Sequence, residues 1–193
     1  MALPSIWYGT QAFVSIQRKT DANPVDFSGR IQNFDVGGGD RDTEDIYTFG
    51  NNTITKQKRA APMEVSFSAL NTDTLFRQMW AGGTVDTTES TGGGILVSGT
   101  ASTRDVYRVI VFIKDGITST TFVDTTNKYG QGGVVGPAIR YTFTDAYAVS
   151  VQEKLEADGN FEVDVKFKCP SNNLAVESAS TNALNLSALT TYT

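Results

Sequence analysis

The densest group of charged side chains in this sequence lies in one polar stretch, where carboxylates alternate with other residues. Residues 40–45 read DRDTED, so oxygen ligands recur with the spacing found at the start of a calcium-binding loop. Such a loop needs glycine at its sixth position and glutamate at its twelfth, but this sequence has Asp45 and Asn51 there. We therefore interpret these carboxylates as a charged surface and expect no metal ion.

The composition further limits the catalytic, metal and cofactor sites that this chain can form. The sequence contains no histidine and one cysteine, Cys169. Histidine is the commonest general base and metal ligand, and a single thiol can form neither an intrachain disulfide nor a thiolate zinc cluster. The glycine-rich run 130–136 lacks both the dinucleotide-binding spacing and the lysine of a P-loop. Nothing singles out a carboxylate pair for glycoside hydrolysis. We therefore expect no enzymatic activity and no cofactor.

The net charge limits the kinds of molecule that this chain can bind stably. It is −5, with a pI of about 4.7, whereas proteins that grip nucleic acid are normally basic. An acidic surface can instead let DNA slide past without sticking. The first residues, MALPSIWYG, lack a basic region and a long apolar stretch, so we expect no signal peptide. The longest apolar run, 109–113, is too short to cross a bilayer, so we expect no membrane partner and production in a cytoplasm.

Alternating apolar and polar residues predict a mostly β fold. The predicted strands are Gln11 to Arg18, Phe27 to Val36, Met63 to Leu70, Arg104 to Lys114, Ile117 to Asp124, Ile139 to Leu155 and Asn160 to Cys169. Asn71 to Ala81 is the one predicted helix, because four apolar residues recur at helical spacing: Leu75, Phe76, Met79 and Trp80. Trp80 is the largest of these side chains, so we expect it to anchor the helix on a sheet.

Residues 37–60 predict a long arm. Three glycines lead into a polar stretch that contains a hairpin from Ile46 to Thr55, with its turn at residues 50–52. Acidic residues dominate the first limb and basic residues the second: Asp40, Arg41, Asp42, Glu44, Asp45, Lys56, Lys58 and Arg59. These charges could pair across the hairpin, or they could meet complementary limbs on adjacent copies. A polar arm of this length cannot bury enough apolar surface on its own sheet, which favours contact with a second molecule.

The order of these elements resembles that of tail tube (major tail) proteins of long-tailed bacteriophages. The resemblance covers roughly residues 10–170 and is carried by the arm SGRIQNFDVGGGDRDTEDIYTFGNNTITKQK, the strand PMEVSFSAL, the helix NTDTLFRQMWAGG and the hairpin RYTFTDAYAVSVQEKLEADGNFEVDVKFK. It implies two antiparallel sheets forming a sandwich or barrel, one flanking helix, and an inter-subunit hairpin arm. Copies would form stacked, usually six-membered rings around an acidic channel that passes the genome.

The resemblance also implies partners and a location. The partners would be other copies of the chain and the tape-measure, tail terminator and distal tail proteins, with DNA passing without stable binding. The protein would be made in the host cytoplasm and reside in the virion. Tubes of contractile injection and type VI secretion systems share this fold. A carbohydrate-binding β-sandwich or adhesin domain is the rival interpretation, since surface aromatics such as Trp7, Tyr8 and Tyr129 would suit it.

A ring of such subunits needs a polar face toward its channel. In an antiparallel sheet one face meets the core, so the other face of the inner sheet becomes the channel wall. The candidate channel residues are Asp26, Glu64, Glu162 and Asp164. Glu162 and Asp164 alternate with Lys166 and Lys168, so their strand could instead face outward. We assign residues 1–170 to the tube-like domain and residues 171–193 to a low-charge extension. That extension could be an outer decoration, a clasp on the next subunit or an inner plug.

Overall fold

The structure is a computed structural model of the 193-residue chain. It describes residues 11–19, 21, 24–27, 30–47, 49, 53–70, 75–81, 85–86, 94–95, 105–114, 138–155, 159–179 and 192. The predicted strand Ile117 to Asp124 lies outside these residues. Within them, no helix is long and apolar enough to cross a membrane.

The described elements confirm the mostly β fold class. The strands are β1 (Gln11–Arg18), β2 (Val25–Asp26), β3 (Ile31–Gly38), β4 (Thr43–Tyr47), β5 (Thr53–Gln57), β6 (Met63–Leu70), β7 (Val85–Asp86), β8 (Gly94–Ile95), β9 (Tyr107–Lys114), β10 (Ala138–Leu155), β11 (Phe161–Cys169) and β12 (Leu174–Ala179). One helix, α1 (Leu75–Ala81), lies in the described part of the chain. All described strand pairs are antiparallel.

Two sheets share the 18-residue strand β10. Sheet A has the order β2-β1-β9-β10-β12, and sheet B has the order β10-β11-β6-β3. Their facing sides form one apolar core, in which Val14 and Val109 of sheet A join Phe67 and Val165 of sheet B. Burying these alternating residues is the main apolar driving force for the fold. The predicted central position of β9 is confirmed, because β9 lies between β1 and β10.

The corner between the sheets forms at Asp145. The first half of β10 pairs with β9 and β12, its second half pairs with β11, and Asp145 between them has a positive φ of 54°. Side chains from distant parts of the sequence hold it: the Lys19 ammonium donates a hydrogen bond at 3.2 Å, and the Asn173 amide and Tyr192 hydroxyl each donate at 3.1 Å. The Tyr192 hydroxyl also accepts from the Asp145 N–H. These contacts offset the backbone strain of a left-handed non-glycine residue.

Helix α1 packs its apolar stripe on the core, with Phe76 as its most deeply buried residue. Phe76 is 1% exposed, and its ring lies 4.9 Å from that of Phe27 and 5.7 Å from that of Phe67. Trp80 is only partly buried, with the Arg77 guanidinium over its ring at 5.8 Å. Trp80 therefore packs against the core near the helix end, but Phe76 is the more deeply buried of the two. Helical spacing places both residues on one side but does not show which of them points at the centre of the core.

One of the glycines before the arm has a backbone conformation that favours glycine, and a substitution can test this. Gly38 has a φ of +82°, and a Cβ there would lie 2.3 Å from the Pro62 carbonyl oxygen. We expect Gly38→Ala to lower the free energy of unfolding by about 1–3 kcal/mol. Gly37→Ala is the matched control, since its Cβ would meet nothing within 4 Å, and its expected change is within about 0.5 kcal/mol. Urea denaturation of both variants measures the difference, and equal stabilities would contradict the strain argument.

Candidate assembly surfaces

The predicted hairpin is present and projects from the body of the subunit. Strands β4 and β5 pair with each other in a separate two-stranded sheet. Its base is closed where the Gly39 N–H donates to the Pro62 carbonyl at 3.2 Å and the Ala61 N–H donates to the Asp40 carbonyl at 2.9 Å. Every described residue from 40 to 59 is exposed. The arm therefore contributes almost nothing to the core of its own subunit.

The arm separates its charges by limb. Residues 40–47 carry four acidic side chains and one arginine, a net charge of −3, and residues 53–59 carry three basic side chains, a net charge of +3. Glu44 lies opposite Lys56 in the register. Across the described part of the arm, however, no ion pair is formed. A polar side-chain contact does join the described parts of the limbs: the Thr55 hydroxyl donates to the Asp45 carboxylate at 2.8 Å.

Large apolar side chains lie at the end of this charged arm. Ile46 and Ile54 are opposite each other and are 44% and 56% exposed. Tyr47 and Phe49 are more exposed still, at 81% and 115%. In a hairpin surrounded by solvent these side chains bury no apolar surface. Clustered exposed apolar groups rimmed by polar ones instead mark interaction sites.

The outward side of sheet B forms the second surface. Three of the four channel candidates lie on it: Glu64 on β6, and Glu162 and Asp164 on β11. The fourth, Asp26, is on β2 of sheet A, so the structure does not bring it to this surface. We call this surface the polar face; its other members, read from the register, are Asn33, Asp35, Ser66, Ser68, Ser150, Gln152, Lys154, Lys166 and Lys168.

Lysines on the polar face pair with its carboxylates. The Lys168 ammonium lies 2.5 Å from the Glu64 carboxylate and that of Lys166 lies 3.3 Å from it. Lys154 contacts Asp164, which also accepts a hydrogen bond from the Ser68 hydroxyl at 2.5 Å. Four acidic residues and three lysines leave this face with a net charge of −1.

These contacts lower the pKa values of two carboxyl groups on the polar face. The hydrogen bond from Lys168 lowers the pKa of the Glu64 carboxyl, with Lys166 adding to the effect. The hydrogen bond from Lys154, followed by that from Ser68, lowers the pKa of the Asp164 carboxyl. Both groups are therefore ionised at neutral pH, so the face keeps its alternating charges under physiological conditions.

The lowered pKa values predict a pH dependence of stability. Because both carboxyls have a lower pKa in the folded chain than in the unfolded chain, their stabilisation is present above the unfolded value of about 4 and is lost as the pH falls through the folded values. We expect the free energy of unfolding to fall below about pH 5. In the double variant Glu64→Gln with Asp164→Asn this fall should be shallower. Asp42→Asn on the exposed arm is the control, and an unchanged pH profile in the double variant would contradict the assignment.

Two further observations on the described residues concern metal binding and the reactivity of the one cysteine. No cluster of three or more metal-ligating side chains occurs among them, and this includes the DRDTED carboxylates. Burial raises the pKa of the Cys169 thiol to about 11, so it is not a thiolate at neutral pH. What the structure does present is an exposed charged arm and a charged sheet face, both suited to contact with other molecules.

Comparison with solved structures places the fold. A chain from the cryo-EM structure of the anti-feeding prophage tube-terminating cap aligns over 93% of this chain and 95% of its own length, with 8% identity and a TM-score of 0.51. A chain from the six-fold symmetrised anti-feeding prophage baseplate aligns over 93% of this chain and 98% of its own length, with 11% identity and a TM-score of 0.51. At these identities the likeness is one of fold. No family model and no curated protein matches the sequence.

Proposed function

We propose that this chain is a structural subunit that self-assembles into stacked, six-membered rings forming the tail tube of a long-tailed bacteriophage. The protein would be made in the host cytoplasm and reside in the virion. The observation that carries the proposal is the arm, a hairpin whose described residues from 40 to 59 are all exposed, with limbs of opposite charge and an apolar end. Such an element has a physical role only when another molecule covers it. The fold shared with chains of a tube-terminating cap and a baseplate supports a tube role.

The polar face of sheet B is the proposed channel wall. It carries Glu64, Glu162 and Asp164 and has a net charge of −1, which becomes −6 around a ring of six copies. A weakly negative wall repels the phosphate backbone without opposing its passage strongly. DNA would therefore pass without stable binding. Asp26 has no place on this wall if sheet B faces the channel.

The remaining parts of the proposal follow from the same role. The assembling domain would be residues 1–170, with residues 171–193 as its extension. Within that extension β12 pairs with the subunit's own β10, and the Tyr192 hydroxyl donates to Asp145, so these residues attach to their own subunit rather than to the next one. The tape-measure, tail terminator and distal tail proteins would be the other partners. The protein would have no catalytic role.

A second assignment is the tube of a contractile injection or type VI secretion system. It is favoured by the two chains compared above, which come from a tube-terminating cap and a baseplate of the anti-feeding prophage. The two assignments share the subunit fold and the ring, and they differ in the cargo of the channel. Particles purified from the source organism would contain DNA in the first case and none in the second.

Sedimentation and negative-stain electron microscopy of concentrated, purified protein test the shared claim. We expect rings or tubes that pellet together, and no retention of duplex DNA at physiological salt. A protein that stays monomeric at millimolar concentration would contradict the tube role. It would also favour the carbohydrate-binding interpretation, in which a module acts alone.

A further inference from the structure

Two large apolar side chains are exposed at the end of the hairpin that β10 and β11 form. Leu155 and Phe161 lie opposite each other in the register and are 74% and 41% exposed. They continue the apolar side of this hairpin, because Val163 and Val165 at alternate positions of β11 are buried in the core. We call Leu155 and Phe161 the hairpin tip. An exposed apolar pair with charged neighbours marks a site of contact with another molecule.

A cavity of about 340 Å³ opens at the base of the arm. Apolar side chains make up most of its lining, among them Ala60, Pro62, Tyr147 and Pro170. We call it the arm-base cavity. Pockets of about 300 Å³ and above hold whole small molecules, so the two side chains of a hairpin tip fit inside it.

The hairpin tip and the arm-base cavity lie at opposite ends of sheet B. Phe161 begins β11, and Cys169, which lines the cavity, ends it. At about 3.3 Å per residue these two ends are about 26 Å apart. Strands in a barrel wall tilt by about 35–45° from the axis, so the ends are about 20 Å apart along the axis of a ring whose channel sheet B lines. The tip then lies at one rim of the ring and the cavity at the other.

The two sites carry opposite charges. Glu162 follows Phe161 at the hairpin tip, and Arg59 lines the arm-base cavity. Within the described part of the chain, neither Glu162 nor Arg59 takes part in an ion pair. Complementary charge favours contact between a tip and a cavity over contact between two tips or two cavities.

We propose that the hairpin tip of one copy docks into the arm-base cavity of a copy in the next ring. This inference rests on the proposed function, which supplies the rings and the orientation of sheet B. Leu155 and Phe161 are buried in the cavity, and Glu162 pairs with Arg59. The contact is head-to-tail, so each new ring presents the same free rim and the tube can lengthen. Because a ring of six copies makes six such contacts at once, each contact can be weak.

The double variant Leu155→Ser with Phe161→Ser tests the apolar part of the contact. We expect it to form rings but about tenfold less tube than the wild type, because the combined effect of the six contacts is lost. Pelleting measures the tubes, and negative-stain electron microscopy distinguishes them from single rings. Val176→Ser is the matched control, since it makes the same kind of change at an exposed position on β12, and its tubes should match the wild type. Tubes at the wild-type level from the double variant would overturn the docking.

A charge exchange tests which sites meet. Glu162→Arg and Arg59→Glu each place like charges at the contact, so we expect each variant to form rings without tubes. Combined in one chain they restore opposite charges, and we expect tubes at about half of the wild-type level or more. A single variant that forms tubes normally, or a combined variant that forms none, would overturn the docking. Loss of the rings themselves in Arg59→Glu would overturn it too, since Arg59 would then act within a ring.

The outcomes separate the docking from the tube role. If the wild type forms tubes but the variants do not behave as expected, the docking is overturned and the tube role stands. If the wild type forms neither rings nor tubes, the proposed function falls and the docking falls with it. Circular dichroism and melting temperature check that each variant is folded, as the exposed positions of Leu155 and Arg59 predict.

Discussion

Removing the arm should yield a folded protein that remains a monomer at concentrations where the wild type forms rings. The variant replaces residues 42–59 with Asn-Gly, which favours a tight hairpin turn. The base of the arm is retained, because the bond from the Ala61 N–H to the Asp40 carbonyl and that from the Gly39 N–H to the Pro62 carbonyl remain. Since every described residue among those deleted is exposed, the melting temperature should change by no more than about 4 °C.

Sedimentation velocity and thermal melting measure this prediction together. The expected result combines a single monomeric species with a wild-type-like melting transition. A variant that still forms normal tubes would show that the arm is not an assembly element. A variant that unfolds would contradict the observation that the arm lies outside the core. The Gly37→Ala variant keeps the arm, so it is the control for the effect of a small change near the base of the arm.

Truncating Phe76 should have the largest effect on stability of the helix substitutions. Its ring is buried between those of Phe27 and Phe67, so Phe76→Ala removes a large apolar group and leaves a cavity. We expect a loss of about 3–5 kcal/mol in the free energy of unfolding. That loss approaches the whole stability of a marginal domain, so insoluble expression is a consistent outcome. Trp80→Ala removes a partly buried ring and should cost about 1–2 kcal/mol.

Phe49→Ala is the matched control, because it makes the same chemical change at a fully exposed position. It should leave the urea midpoint unchanged. If Phe76→Ala is too unstable to purify, the yield of soluble Phe76→Ala relative to that of Phe49→Ala serves as the measurement. A Trp80→Ala variant that is less stable than Phe76→Ala would restore the anchor expected from the sequence.

Local pattern was sufficient to predict the arm and the long strands β1, β6, β9, β10 and β11, but not β2 or β12. Strict alternation placed β1, β6 and β11 within a residue or two, since a half-buried strand shows a period of two. The glycines and the separated charges predicted the exposed hairpin for the same reason: they are features of consecutive residues. The helix was also predicted, but its centre was not, because tertiary packing selects Phe76 over Trp80.

The corner and the polar face depend on contacts between distant residues, which alternation does not reveal. Asp145 meets Lys19 and Tyr192, which lie 126 and 47 positions away in the sequence, and no local signal marks it as a left-handed corner residue. The register of β6 against β11 places Glu64 between two lysines. The sequence shows that Glu162 and Asp164 alternate with Lys166 and Lys168, but it could not give the register that places both lysines beside Glu64.

A cryo-EM reconstruction of the assembled, purified protein tests the central claim most directly. We expect closed rings that stack into a tube, with each arm against the next copy and the Glu64 and Asp164 side chains of sheet B lining the channel. Rings whose arms contact only solvent, or a channel lined by another surface with net positive charge, would contradict the account. So would a protein that remains monomeric under every condition in which its fold is intact.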